Sequence, residues 1–328
     1  MQVFKNKRVS KYHYPFSFQD APISQLITKR ESNERSSSFL SSTSSIGHLV
    51  STIELCKLIL TRQPSLSIHI LITIAPYDTS STSNYISTVS TTLPSITFHT
   101  LPTFTPPKTL LSSSLNHETL LFDILHHNNP HIHQTLISLS KSHTLHALIV
   151  DILCSQSIFI ASQLNLSAYI FSSSSASLFA AFLYHRTLHG TDEDDKSLKE
   201  PNTFLNIPGV PPMPMMAMPK PFLKRSDGAY ENFVNCSLAA PKAAGFIVNT
   251  FEALEPSSIN AICSGLCMPD SLTSPLYCLG PIVTTQSQNT TSDHECLKWL
   301  DLQPSKSVVL LCFGSLGVFP REQLCEIA

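Results

Sequence analysis

The sequence predicts an α/β protein with a parallel sheet covered on both faces. Apolar runs of four to eight residues, rich in Ile, Leu, Val and Phe, recur from about residue 46 to residue 283. Segments of helical period separate them, and this alternation is the pattern of a doubly wound sheet. Only 13% of residues are charged while Ser and Thr abound, so hydroxyls replace much of the usual charged surface.

The elements follow in order. A helix after Gly47 places Leu49, Ile53, Cys56, Ile59 and Leu60 on one face. Strands are predicted at residues 67–74 and 96–101, and helical segments at 120–126 and 133–140. Between those two segments, His126, His127, His131 and His133 share a polar stretch with Pro130 and read as a solvated loop. Residues 147–151 form the most convincing buried strand, ending on Asp151. A helix over 155–164, a strand over 168–171 and a helix over 175–188 come next. An acidic turn at 192–195 and a Pro/Met-rich stretch over 207–221 interrupt the alternation, and both have the length of functional loops. It resumes with a strand at 245–250 and a helix at 256–263. A Thr/Ser/Gln/Asn-rich linker over 284–292 then leads to a short helix at 295–300, a strand at 307–313 and a helix starting at Arg321.

The expected organisation is therefore an irregular, disordered leader over 1–43, one Rossmann-like domain over 44–283 and the start of a second over 284–328. The leader is basic and lacks periodicity; a transit peptide is the second reading of it.

Composition excludes several functions. A net charge of −2 gives no electrostatic reason to bind nucleic acid. No apolar run is long enough for a membrane span, so a cytoplasmic address is expected; a monomer is expected as well. The nine Cys are scattered, mostly within apolar runs, and contain no CxxC pair, so they read as buried thiols rather than a zinc site. None of the nine Gly forms a GxGxxG or GxxxxGK[ST] arrangement, and neither a standard dinucleotide site nor a metal is expected.

The residues placed for chemistry are His48, near a helix start, and Asp151, at the carboxyl end of a buried strand. In an open parallel sheet these two locations share one edge, where such folds keep their ligands. The positive end of a helix dipole favours a neutral imidazole, and a carboxylate on the other ring nitrogen would fix its tautomer, which together make a general base. The competing reading is that both residues merely serve helix starts. A serine hydrolase lacks its G-x-S-x-G elbow; Ser315, between a strand and a helix, suits anion contact or a plain turn.

Several segments together resemble the plant family-1 glycosyltransferases that use UDP-sugars, over about residues 46–328. They are residues 47–55, 148–151, 245–255, 279–281, 296–301 and 308–317, in the family's order and spacing. The nearest group is the one acting on flavonoid and other phenolic hydroxyls. The resemblance implies the GT-B arrangement, with two Rossmann-like domains, the acceptor on the first and the UDP-sugar mainly on the second. It implies His48 as base, Asp151 as its partner, Ser315 on the diphosphate side and Ser173 toward the sugar. UDP-sugar, expected to be UDP-glucose, is then a co-substrate and no further cofactor is needed. The family's Trp-rich donor motif is expected beyond Ala328, since the single Trp here is Trp299, and the family's apolar first strand is replaced by the Ser-rich residues 38–45. A chain with both departures is expected to be impaired in transfer, the alternatives being a non-catalytic binder of small aromatics or a nonfunctional fragment.

Overall fold

The structure is a computed structural model that describes residues 36–42, 46–74, 80–105, 117–191, 203–284, 295–311 and 319–327. These residues divide between two compact units, one reaching to Thr284 and the other beginning at Thr285.

The larger unit is a seven-stranded sheet flanked by helices. Its strands are β1 (Ser36–Ser42), β2 (Ser67–Ile72), β3 (Ile96–Thr100), β4 (Thr144–Asp151), β5 (Ser167–Ser172), β8 (Gly245–Val248) and β9 (Leu276–Cys278). A separate antiparallel pair, β6 (Phe204–Leu205) and β7 (Met213–Pro214), lies in the Pro/Met-rich stretch. The order across the sheet is β3-β2-β1-β4-β5-β8-β9 and every neighbouring pair is parallel. The chain thus winds outward from β1 to β3, then crosses back to β4 and winds the other way. That reversal between β1 and β4 is a topological switch point, where loops diverge and leave a crevice at the carboxyl edge.

Two cores follow from the strands' alternation. On one face Ile68, Ile70, Ile72, Ala147, Ile149 and Phe171 pack with Leu49, Ile53, Cys56 and Ile59 of α1 (Ile46–Arg62) and Val89 of α2 (Ser80–Thr92). On the other, Leu71, Leu148, Val150, Ile170, Phe246 and Val248 meet α3 (His117–Ser140), α4 (Ile158–Gln163), α5 (Ala176–Thr191), α6 (Gly228–Ala239) and α7 (Pro256–Cys263). Among the described residues no helix is long and apolar enough to cross a membrane.

Three elements of this unit differ from the sequence reading. Residues 36–42 of the supposed irregular leader form β1, hydrogen-bonded between β2 and β4; Phe39 and Leu40 are their only apolar residues, so the strand comes from pairing on both edges rather than from pattern. The four-histidine stretch is helical, because α3 runs unbroken through Pro130. An internal proline costs about 3 kcal/mol, and the buried face of Phe122, Ile124, Leu125, Ile132 and Leu136 outweighs it. Helix α2 had no sequence signal: it is Ser/Thr-rich, and hydroxyls such as those of Ser87, Thr88 and Ser90 bond carbonyls four residues back.

The smaller unit contains α8 (Glu295–Asp301) and α9 (Arg321–Ile327) among its described residues. The strand expected at 307–313 does not form over 307–311, and residues 312 and 313 lie outside the described residues. Val309, Leu310 and Leu311 are exposed there, at 67%, 78% and 53%, without a sheet to pair with among the described residues.

Candidate active site

Helix α1 begins at Ile46, so His48 occupies its first turn, and Asp151 is the last residue of β4. Because β1 pairs with β4 up to Ser41 opposite Val150, the chain leaving β1 emerges beside Asp151. The two residues meet there: His48 Nδ1 lies 2.6 Å from Asp151 Oδ2. Asp151 is 2% exposed. Its other oxygen, Oδ1, accepts the backbone N–H of Leu153 at 2.9 Å and caps the 3-10 turn over Ile152–Ser157. One carboxylate therefore serves both the expected partnership and the competing capping role.

This geometry fixes the imidazole. A carboxylate only accepts, so Nδ1 carries the hydrogen and Nε2 of the neutral ring is the basic nitrogen. The charge of Asp151 holds the His48 pKa above its ordinary value, burial opposes this, and the hydrogen bond to Asp151 reinforces it. The neutral state expected from the helix start is thus countered by the carboxylate. The pair can take up a proton at Nε2 and stabilise the resulting imidazolium.

Ser173 is half-buried in the bend after β5, at the same carboxyl edge of the sheet, and its carbonyl accepts Asn249 Nδ2 at 3.2 Å. Ser315 lies outside the described residues.

Sequence reasoning missed the network behind this edge. After β8, Asn249 bonds the backbone of Ser172, Ser173 and Ile282. Glu255 accepts from Ala176 N at 2.8 Å, Ser177 N at 3.0 Å, Ser177 Oγ at 2.7 Å and Thr250 Oγ1 at 2.6 Å. Burial raises its carboxyl pKa, but those hydrogen bonds together outweigh it and the net shift is downward. The only sequence signal was that these residues lie within the matched segment 245–255.

Histidines also gather away from the site. His69 Nδ1 lies 2.9 Å from His99 Nε2, and the His69 ring packs edge-on against His143. Burial pushes His69 down to about 4, with His99 and His143 adding to the effect. No group of His, Cys, Asp or Glu among the described residues can hold a metal ion. Cys56, Cys154, Cys236 and Cys267 are buried, whereas Cys263, Cys296 and Cys325 are exposed, against expectation, because they sit on short surface helices or directly at their ends.

The parallel Rossmann-like sheet matches solved plant enzymes of the GT-B fold. Phytolacca americana UGT2, solved with UDP-2fluoro-glucose and pterostilbene, superposes with a TM-score of 0.75 at 28% identity, over 88% of this chain and 62% of that one. Medicago truncatula UGT71G1, solved with UDP-glucose, gives 0.74 at 30% identity, over 89% and 63%. In sequence, UDP-glycosyltransferase 88B1 of Stevia rebaudiana is 44% identical over 283 residues, which is 86% of this chain and 60% of the relative. Phloretin 2'-O-glucosyltransferase of Malus domestica is 37% identical over 294 residues, with the same coverage. No family model matches the chain. The chain spans about 60% of the length of these curated relatives, and over that span it is similar to plant UDP-glycosyltransferases.

Proposed function

We propose that the protein is a UDP-sugar-dependent O-glycosyltransferase that moves glucose onto a hydroxyl of a flavonoid or other small phenolic, as a cytoplasmic monomer. The observation that carries this reading is the 2.6 Å contact between His48 Nδ1 and the buried Asp151. In the proposed reaction, neutral Nε2 accepts the proton of the acceptor hydroxyl as its oxygen forms a bond to the anomeric carbon. The bond from that carbon to the diphosphate oxygen breaks, UDP leaves with the electron pair, and configuration inverts. Positive charge grows on His48 beside Asp151 as negative charge grows on the diphosphate. A phenol titrates near 10, so a base held above its ordinary value approaches its proton donor in strength, which favours transfer. In this reading residues 44–283 hold the acceptor and 284–328 begin the donor domain, with Ser173 toward the sugar and Ser315 on the diphosphate side. UDP-glucose is the co-substrate, and the names of the relatives support that choice of sugar.

The test is incubation with UDP-glucose and phloretin, with the glucoside quantified by mass spectrometry. Wild-type protein is expected to form it, and His48→Ala to form it about 10²–10⁴-fold more slowly, the usual contribution of a general base. Equal rates would remove His48 from the chemistry, and no product from wild-type protein would overturn the reading.

A further inference from the structure

Two polar side chains from one segment hold the turn that carries Ser173, and one of them reaches further. The turn joins β5 to α5. Glu255 caps its helical end through Ala176 and Ser177, while Asn249 binds its strand end through Ser172 and Ser173. The Asn249 carboxamide also pairs with Ile282 as a backbone rung would: Oδ1 accepts the Ile282 N–H at 2.6 Å and Nδ2 donates to the Ile282 carbonyl at 3.3 Å. Both Nδ2 hydrogens are thus used, on two carbonyls from different segments. The amide can sit only one way round, since a flip would set its oxygen against those carbonyls and its NH₂ against an N–H.

Ile282 lies where the chain leaves β9, two residues before the boundary between the units at Thr284. Its approach to Asn249 requires Gly280: a Cβ there would lie 2.5 Å from Thr250 N and 2.9 Å from Asn249 Oδ1. The ladder continues on either side, with Leu279 N donating to Val248 O at 3.0 Å and Gly280 N to Thr250 O at 2.8 Å. Asn249 therefore ties the Ser173 turn to the exit strand.

We infer that Asn249 is a positioning residue for sugar transfer, coupling the Ser173 turn to the segment at Ile282 that leads into the second unit, so that the two move together. The consequence for transfer rests on the proposed function; the coupling itself does not.

The two parts are separable by experiment. Hydrogen exchange is followed at Ile282 and through residues 173–177 in wild-type protein, Asn249→Ala and Asn249→Asp, with amides in β2 and β4 as folding controls. Aspartate keeps an acceptor for Ile282 N–H but turns an oxygen toward both carbonyls. Ile282 is expected to stay protected in Asn249→Asp and to exchange at least about tenfold faster in Asn249→Ala, the worth of one net hydrogen bond, while the Ser173 turn loosens in both. Equal release of Ile282 in the two variants, or an unchanged Ser173 turn, overturns the coupling. Glucosyl transfer is read alongside: a raised KM for UDP-glucose in both variants, with acceptor KM and the acid limb of the pH profile unmoved, supports the donor-side role. A shift confined to acceptor KM overturns that role. Wild-type protein with the coupled exchange pattern but no transfer overturns the proposed function instead.

Discussion

At His48 two electrostatic effects oppose one another. A helix start favours the neutral ring by about 0.3–1 kcal/mol, whereas a unit charge about 4 Å away at an effective dielectric of about 20 is worth about 4 kcal/mol. The carboxylate wins, which is why His48 titrates above its ordinary value. Asp151→Asn removes the charge while leaving an oxygen to cap Leu153, so burial and the helix start then act unopposed. The expected outcome is a His48 pKa below about 6.5, read from imidazole chemical shifts against pH; an unmoved titration would mean that Asp151 does not set it. The sign carries to stability. Protons favour the folded state at a raised histidine, so the stabilisation from His48 is complete below about 6.5 and is lost as pH rises through the folded pKa. His185 is the opposite case. It is 2% exposed between the rings of Phe222 and Tyr230. Burial brings it down to about 4, with the Phe222 backbone counteracting in part and His189 and Arg225 adding to the depression. The unfolded chain protonates this residue first, so stability falls as pH drops from about 6.5 toward about 4. His185→Phe is expected to flatten that acid limb in thermal unfolding followed from pH 7 to pH 4; a limb as steep as wild type would assign the loss to other groups.

Among the elements, α5 shows how a helix start can be served by a residue far away in sequence. Glu255 lies 79 positions from Ala176, yet its carboxylate takes the N–H groups of Ala176 and Ser177 and opposes the helix dipole. Glu255→Ala would leave both donors without their acceptor. A cost of about 2–3 kcal/mol is expected from losing hydrogen bonds to a charged group, measurable by urea unfolding, and a cost below about 0.5 kcal/mol would show that water substitutes for the carboxylate. Nothing local to residues 173–177 announces this cap, and the same limit explains the other elements that the sequence concealed. The hydroxyls of α2 are intrinsically indifferent to helix, and its burial rests on a face as small as Val89, Tyr85 and Ile86. Pro130 reads as a break until the apolar face it interrupts is seen to be buried on both sides of it. Conversely, residues 307–311 have the composition of a strand but no strand partner among the described residues, and composition alone does not make one. His48 and Asp151 were legible because each stands at a punctuation point, a helix start and a strand end, that periodicity locates without tertiary information.

For the whole molecule, the order of strands decides what the candidate site depends on. The dyad exists because β1 and β4 are neighbours and the chain turns opposite ways from them. Pattern reasoning located the strands it could see and left the sheet without its centre, since the Ser-rich residues 36–42 lack the apolar run that marks a buried parallel strand. Removing them is therefore a different act from trimming a leader. A chain shortened to begin at residue 46 keeps His48 and Asp151 but gives β2 and β4 an open edge each, and it discards every hydrogen bond that β1 makes to both. A chain beginning at residue 36 keeps the strand. The first is expected to lose cooperative thermal unfolding in far-ultraviolet circular dichroism and to aggregate through the unpaired edges, while the second unfolds in one transition close to that of the full chain. Because His48 reaches Asp151 only from the carboxyl end of β1, the His48 titration should also revert toward that of a free histidine in the shorter chain. Matching transitions and matching His48 titrations in the two shortened chains would mean that the sheet closes without β1 and that the dyad is held by α1 alone.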